Sequence, residues 1–189
     1  MADLPRETNR PPQKSHVSMR VAGWILAIIA VIILVHSMIP QFGIPPEHDH
    51  RIQCGSQLRT LGQAMVMYAN QHDGHFPENA KALLKYMSDG ADFKKAATCF
   101  VCPSTKDTPA DNVSSLTAGG HCSYIYLAGA LTTACSPDVV LMYEPLTNHQ
   151  GDGGNFLFAD THVDFDGKTL AEKMIRELQA GENPPPSAN

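Results

Sequence analysis

The chain has 189 residues, 43% hydrophobic and 17% charged, with 14 Lys+Arg against 19 Asp+Glu for a net charge of −5. Arg6, Arg10, Lys14, Arg20, Asp3 and Glu7 all precede residue 21, so the chain beyond residue 39 keeps ten Lys+Arg and seventeen Asp+Glu, a net of −7. An acidic body with no basic cluster excludes nucleic acid as a partner, because phosphate binding needs concentrated positive charge, and it argues against adhesion of the body to anionic lipid.

Residues 1–20 hold Pro5, Pro11, Pro12 and scattered polar groups with no apolar period, which predicts a disordered tail. Val21 to Ile39 is nineteen residues without a formal charge. As a helix it would be about 28 Å long, the thickness of a bilayer's hydrocarbon core, with apolar residues on every face. A cleaved signal peptide is the rival reading, with Val35 and Ser37 before the cut. The long polar leader and the length of the run favour an uncleaved transmembrane signal anchor. The Lys/Arg excess lies before the span, so the tail is expected in the cytoplasm and the rest outside it.

Residues 40–51 carry Pro40, Gly43, Pro45 and Pro46 and read as a linker, with His48 and His50 in a solvated segment. Ile52 to His72 follows with Leu58, Leu61, Met65, Tyr68 and His72 at three- and four-residue steps, an amphipathic helix with a core-packing stripe. His72-Asp-Gly-His75 and Phe76-Pro77 stop it. A shorter helix is predicted over Asn79 to Met87.

From Thr98 the texture changes to a polar loop reaching Gly120, then short β-prone runs at 123–127, 139–143, 155–158 and 162–165. Ala159-Asp160-Thr161 joins the last two as a hairpin, and the alternation of Phe156, Phe158, Val163 and Phe165 predicts one apolar face on it. Thr169 to Gln179 reads as a closing helix, and 182–189, with three prolines, as a disordered end. The expected architecture is α+β: a transmembrane helix, a proline-rich linker, then a domain over 52–181 with an amphipathic helix packed on a small antiparallel sheet.

Five cysteines, Cys54, Cys99, Cys102, Cys122 and Cys135, follow the span. In an oxidising compartment structural disulfides are the first expectation, with connectivity left open. A redox pair at Cys99-x-x-Cys102, or zinc held by Cys99, Cys102, Cys122 and Cys135, are the alternatives. His149, Asp152, Asn155, Asp160 and His162 surround the glycine-rich loop at 151–154. Oxygen ligands at short spacing suit calcium, and two histidines suit zinc or another transition metal. The plainer reading is a turn whose Asp and Asn side chains bond their own backbone. Nothing resembles Gly-x-Ser-x-Gly or His-Glu-x-x-His, so no catalytic residues and no obligatory cofactor are expected.

Cys54 through Pro77, Cys102-Pro103-Ser104, Ser123-Tyr124, Met142-Tyr143-Glu144-Pro145-Leu146 and Asn148 to Phe165 together resemble, in order, blocks of bacterial pseudopilin-like proteins. These relate to type II secretion and type IV pilin subunits, especially the group with a C-terminal His-x9-Asp-Gly signature. The resemblance covers about 110 residues. It implies a non-catalytic structural subunit or accessory of a secretion or pilus-type assembly in a bacterial inner membrane, with a periplasmic domain. It also implies the bilayer, other such subunits or a second copy as partners, Cys54 bonded to the cysteine of Cys-Pro-Ser, and calcium near the C-terminus. A monomeric anchored ligand- or metal-binding module is the competing expectation. The chain departs from the group in three places. Ten residues separate His149 from Asp160, Thr161 stands where the group has glycine, and Ile28 stands where pilins carry glutamate.

Overall fold

The structure, a computed structural model, describes residues 19–38, 46–90 and 92–188. The tail as far as residue 18, Ile39 and the first half of the linker lie outside the described residues. The chain divides into two units, one ending at Gly43 and one running from Ile44 to Asn189.

In the first unit, α1 spans Met19–Met38. Every large apolar side chain described from Val21 to Leu34 is exposed, Trp24 by 72%. That stretch is about 21 Å of helix at 1.5 Å per residue, against roughly 30 Å for a bilayer core. Among the described residues no helix is long and apolar enough to cross a membrane. The span therefore stands on the sequence alone.

The second unit is α+β. Its first helix, α2, spans Pro46–Ala69 and starts six residues before the predicted point, inside the expected linker. Pro46 explains the shift: at the first helical position proline lacks an N–H that would be unsatisfied anyway, and Glu47 and Asp49 place negative charge against the helix N-terminus. Next come α3 (Ala80–Asp89), capped by the Asn79 side chain on Ala82 N, and α4 (Phe93–Thr98), a short helix capped by Asp92 that the sequence reading placed in no element.

The sheet follows in the order β1 (Ile125–Tyr126), β2 (Val140–Tyr143), β3 (Gly153–Phe158), β4 (Val163–Gly167), all antiparallel neighbours. The closing helix α5 is Lys168–Gln179.

β3 is buried along its whole length because helices cover both faces of the sheet. On one side α2 lays Leu58, Leu61 and Met65 against Leu141, Met142 and Leu157. On the other, α5 packs Ala171, Met174, Ile175 and Leu178 against Val140, Tyr143, Phe156 and Phe158. Gly62 lets α2 approach: a Cβ there would stand 2.7 Å from Leu157 Cδ1. A register shift between Val140 and Met142 turns Leu141 and Met142 together toward α2.

The single apolar face predicted for the β3–β4 hairpin is not what forms. Leu157 pairs with Val163 and Asn155 with Phe165, whereas Phe156 lies opposite Asp164. Residues directly opposite share a face, so Phe156 and Phe158 point to α5 while Val163 and Phe165 point to the α2 side. The turn's length sets that register. The end expected to be disordered is also placed, through Ala188. Asn183 accepts from Val140 N at 2.8 Å and donates to Val140 O at 2.9 Å, standing in for a strand that β1 is too short to supply. Ser187 N and Oγ both donate to Glu177 Oε2.

Candidate functional site

Five polar side chains are buried among the described residues: Ser123, Glu144, Asn148, His149 and Asn155. All five belong to one constellation, which also takes in the buried thiols of Cys54 and Cys102. Buried polar and charged groups are costly unless partnered, so concentrating them in one place marks it as the candidate site.

Each donor reaches the site from a different element. Cys54 lies on the buried stripe of α2, one turn before Leu58. Cys102 follows α4, and its N–H donates to Ser123 Oγ at 3.0 Å, which fixes the Cys-Pro-Ser turn. Glu144 immediately follows β2, where its carboxylate accepts from Asn155 N at 2.9 Å and Asn155 Nδ2 at 2.7 Å. His149 sits in the 3-10 turn Asn148–Gly151 with φ +51°, and Gln150 has φ +60°. Two consecutive non-glycine residues in the left-handed region cost about 1–3 kcal/mol each, strain that persists only where the surroundings hold it. Here it carries the imidazole into the core. Asn148 Nδ2 donates to Ser123 O at 3.0 Å and anchors the turn.

Cys54 Sγ, Cys102 Sγ, a Glu144 oxygen and a His149 ring nitrogen all lie within 4.8 Å of one another, all fully buried. Cys54 Sγ is 2.7 Å from Cys102 Sγ, Cys102 Sγ is 3.7 Å from His149 Nε2, and Nε2 is 3.0 Å from Glu144 Oε2. The other imidazole nitrogen, Nδ1, lies 2.5 Å from Glu47 Oε1. Ser104 Oγ donates to both Glu47 oxygens and sits 3.2 Å from His50 Nδ1 and from His149 Nδ1. The expected solvated segment around His50 is thus tied to the site through Ser104.

Burial would lower the pKa of His149, but its contacts with Cys102, Glu144 and Glu47 outweigh burial and push it up to about 10. Burial likewise opposes ionisation of Glu144, and the His149 contact and charge together with the Asn155 bonds reverse that and lower its pKa. The Cys54 thiol donates to Cys102, which raises Cys54 and lowers Cys102.

The metal loop expected from sequence is not brought together. His149 enters the buried cluster, and Asn155 joins it as a donor to Glu144. Asp152 lies at the surface, 2.5 Å from Arg51 Nη2. Asp160 and His162 pair with each other in the β3–β4 turn, where the His162 ring stacks on Phe158 at 4.2 Å. Among the described residues no two cysteine sulfurs stand at the bonding distance of a disulfide, and the nearest two, those of Cys54 and Cys102, are 2.7 Å apart. Cys99 and Cys102 do not form a pair: Cys99 Sγ donates to Lys95 O at 3.5 Å, while Cys102 faces Cys54. Cys122 Sγ donates to Tyr124 O at 3.3 Å, and Cys135 is half-buried. The pairing of Cys54 with the cysteine of Cys-Pro-Ser is the one the family resemblance implied as a bond, and here the two sulfurs stand 2.7 Å apart.

Glu144 is the site residue that sequence reasoning missed. Its signal is a lone carboxylate closing an otherwise apolar run, Val139 to Tyr143, where a buried charge demands partners. Beside the cluster, on the outer side of Asn155, a cavity of about 430 Å³ opens between α2 and β4, lined by His48, Arg51, Ile52, Arg59, Val163 and Phe165 among others. None of the four clustered donors lines it.

No protein-family model, curated protein or solved structure matches the chain.

Proposed function

We infer that the protein is a membrane-anchored, non-catalytic structural subunit of pseudopilin-like type, tethered by Val21–Ile39, with residues beyond 40 on the extracytoplasmic side of a bacterial inner membrane. The observation that carries this reading is the run Val21 to Ile39 in the sequence, nineteen residues without a formal charge and, as a helix, with apolar residues on every face. Such a run needs a cover, and a bilayer supplies one to a helix without a polar face. The non-catalytic part is supported by the sealing of the reactive cluster, since a catalytic site must admit substrate to its nucleophile or base. A long helix laid across an antiparallel sheet is consistent with the resemblance that the ordered sequence blocks carry.

The second reading, a monomeric anchored module that binds metal and does not polymerise, is favoured by the buried Cys54–Cys102–Glu144–His149 cluster. Cross-linking in native membranes separates the two: a ladder of multimers is expected for the subunit, and a lone monomer band would establish the module. Both readings share the anchor. Extraction with alkaline carbonate should leave the chain in the membrane pellet, and release into the supernatant would overturn both.

A further inference from the structure

From the convergence of two thiols, an imidazole and a carboxylate in the core, we propose that Cys54, Cys102, Glu144 and His149 form a closed, four-coordinate zinc site that fastens α2 to the sheet. The inference stands whether or not the domain polymerises, and it does not depend on the anchor.

The donor chemistry selects the ion. Two sulfurs with one nitrogen are soft to borderline ligands and suit zinc, whereas calcium and magnesium take oxygen. The spacing suits it too. With Zn–S about 2.3 Å and Zn–N about 2.0–2.1 Å, a tetrahedron sets sulfur and nitrogen about 3.6 Å apart and the two sulfurs about 3.8 Å apart. Cys102 Sγ and His149 Nε2 already stand at 3.7 Å. The two sulfurs, at 2.7 Å, must part by about 1 Å to take up this spacing.

The surrounding bonds are those of a prepared ligand set. His149 presents Nε2 to the cluster while Glu47 holds Nδ1 at 2.5 Å, so that Nδ1 carries the proton and Nε2 a lone pair once the cation is bound. Glu144 is oriented by two bonds from Asn155. A dication would offset two of the three anionic donors, the two thiolates and the Glu144 carboxylate, and the remaining negative charge would rest on a carboxylate that accepts two hydrogen bonds from Asn155. All four donors are fully buried, which leaves no open position for substrate and makes the site structural.

The rival is a Cys54–Cys102 disulfide, which needs the same two sulfurs to close to about 2.05 Å. The two outcomes are chemically exclusive. The full-length chain, purified in detergent with and without reductant and supplied with zinc, should carry one zinc per chain by elemental analysis, with no Cys54–Cys102 disulfide by mass spectrometry after alkylation. Replacement by cobalt should give a near-ultraviolet thiolate-to-metal absorption and the intense visible bands of a tetrahedral site. Glu47→Gln, a change outside the four ligands, should weaken zinc affinity by about 10–100-fold while leaving the fold intact by circular dichroism. Cys102→Ser should cut the thiolate absorption of the cobalt form to about half or less, and the Cys54→Ser, Cys102→Ser double variant should abolish it.

A metal-free chain with Cys54 and Cys102 joined would overturn the proposal. So would a chain with both thiols free that takes up neither ion. Cobalt bound without thiolate absorption would also defeat it, since that places the metal elsewhere. If Cys102→Ser does not fold, the stoichiometry and cobalt spectrum of the wild-type chain still decide.

Discussion

Thr161 is the residue where backbone and side chain disagree most plainly. It adopts φ +73° in the β3–β4 turn, a region that β-branched side chains avoid and glycine enters freely. The Thr161→Gly variant is therefore expected to be more stable by about 1 kcal/mol, the relief of strain exceeding the added entropy of the unfolded chain. In a domain of this size that is roughly 2–4 °C in Tm by thermal denaturation, and an unchanged or lower Tm would show that the turn holds threonine without strain. Asp166 is a second conflict. Burial first, and the neighbouring Asp164 charge second, raise its pKa above the ordinary value of 3.8. A raised carboxyl favours its neutral form in the fold, so its contribution is fully present below pH 3.8 and is lost as pH rises through the folded value. Asp166→Asn is thus expected to raise Tm at pH 7 and to make no difference near pH 3. A variant that destabilises equally at both pH values would contradict this.

Among elements, the contact of α2 with β3 decides the packing. Gly62 and Leu157 meet where a Cβ on the helix would come within 2.7 Å of a fully buried leucine. Gly62→Val is expected to cost about 1–3 kcal/mol by overpacking, more than valine's small helix advantage over glycine returns. Leu157→Ala is expected to cost about 2–5 kcal/mol through the cavity it leaves. The two should be markedly non-additive, because the valine fills part of that cavity. Urea denaturation of both singles and the double variant measures the coupling, and strict additivity would mean the helix does not approach the sheet here. At the same scale, the amphipathic stripe of α2 was legible because Leu58, Leu61 and Met65 repeat at helical spacing. The start of α2 was not, because Pro45-Pro46 reads equally as a linker and as a helix start. The faces of the hairpin were not legible either: Phe156 and Val163 both look inward along their own strands, and only the register across the turn separates them.

At the scale of the whole molecule, both hydrophobic clusters draw only on residues from Cys54 onward. A chain consisting of residues 44–189 is therefore expected to fold cooperatively without α1, with sigmoidal thermal unfolding by circular dichroism and a Tm within a few degrees of the full-length protein. Failure to fold would mean that the domain needs its first unit. Fold class was readable from sequence, since helical and two-residue periods fall in separate segments, and so were the helix and strand runs that bracket the site. The site was readable only in part. His149 stood out beside its glycine-rich loop, and Cys54 and Cys102 stood out as cysteines, but sequence spacing grouped His149 with Asp152, Asp160 and His162 and grouped Cys102 with Cys99.

By itself the sequence determined the acidic body, the apolar run at 21–39, the α+β alternation and the identity of the chemically capable residues, because composition and periodicity are local properties of the chain. Only the tertiary structure decided which of those residues meet. Cys54 and Cys102 are 48 positions apart and His149 lies 47 beyond Cys102. Contacts at that range follow from how α2 crosses the sheet and how the turn after β2 bends inward, neither of which leaves a pattern in neighbouring residues.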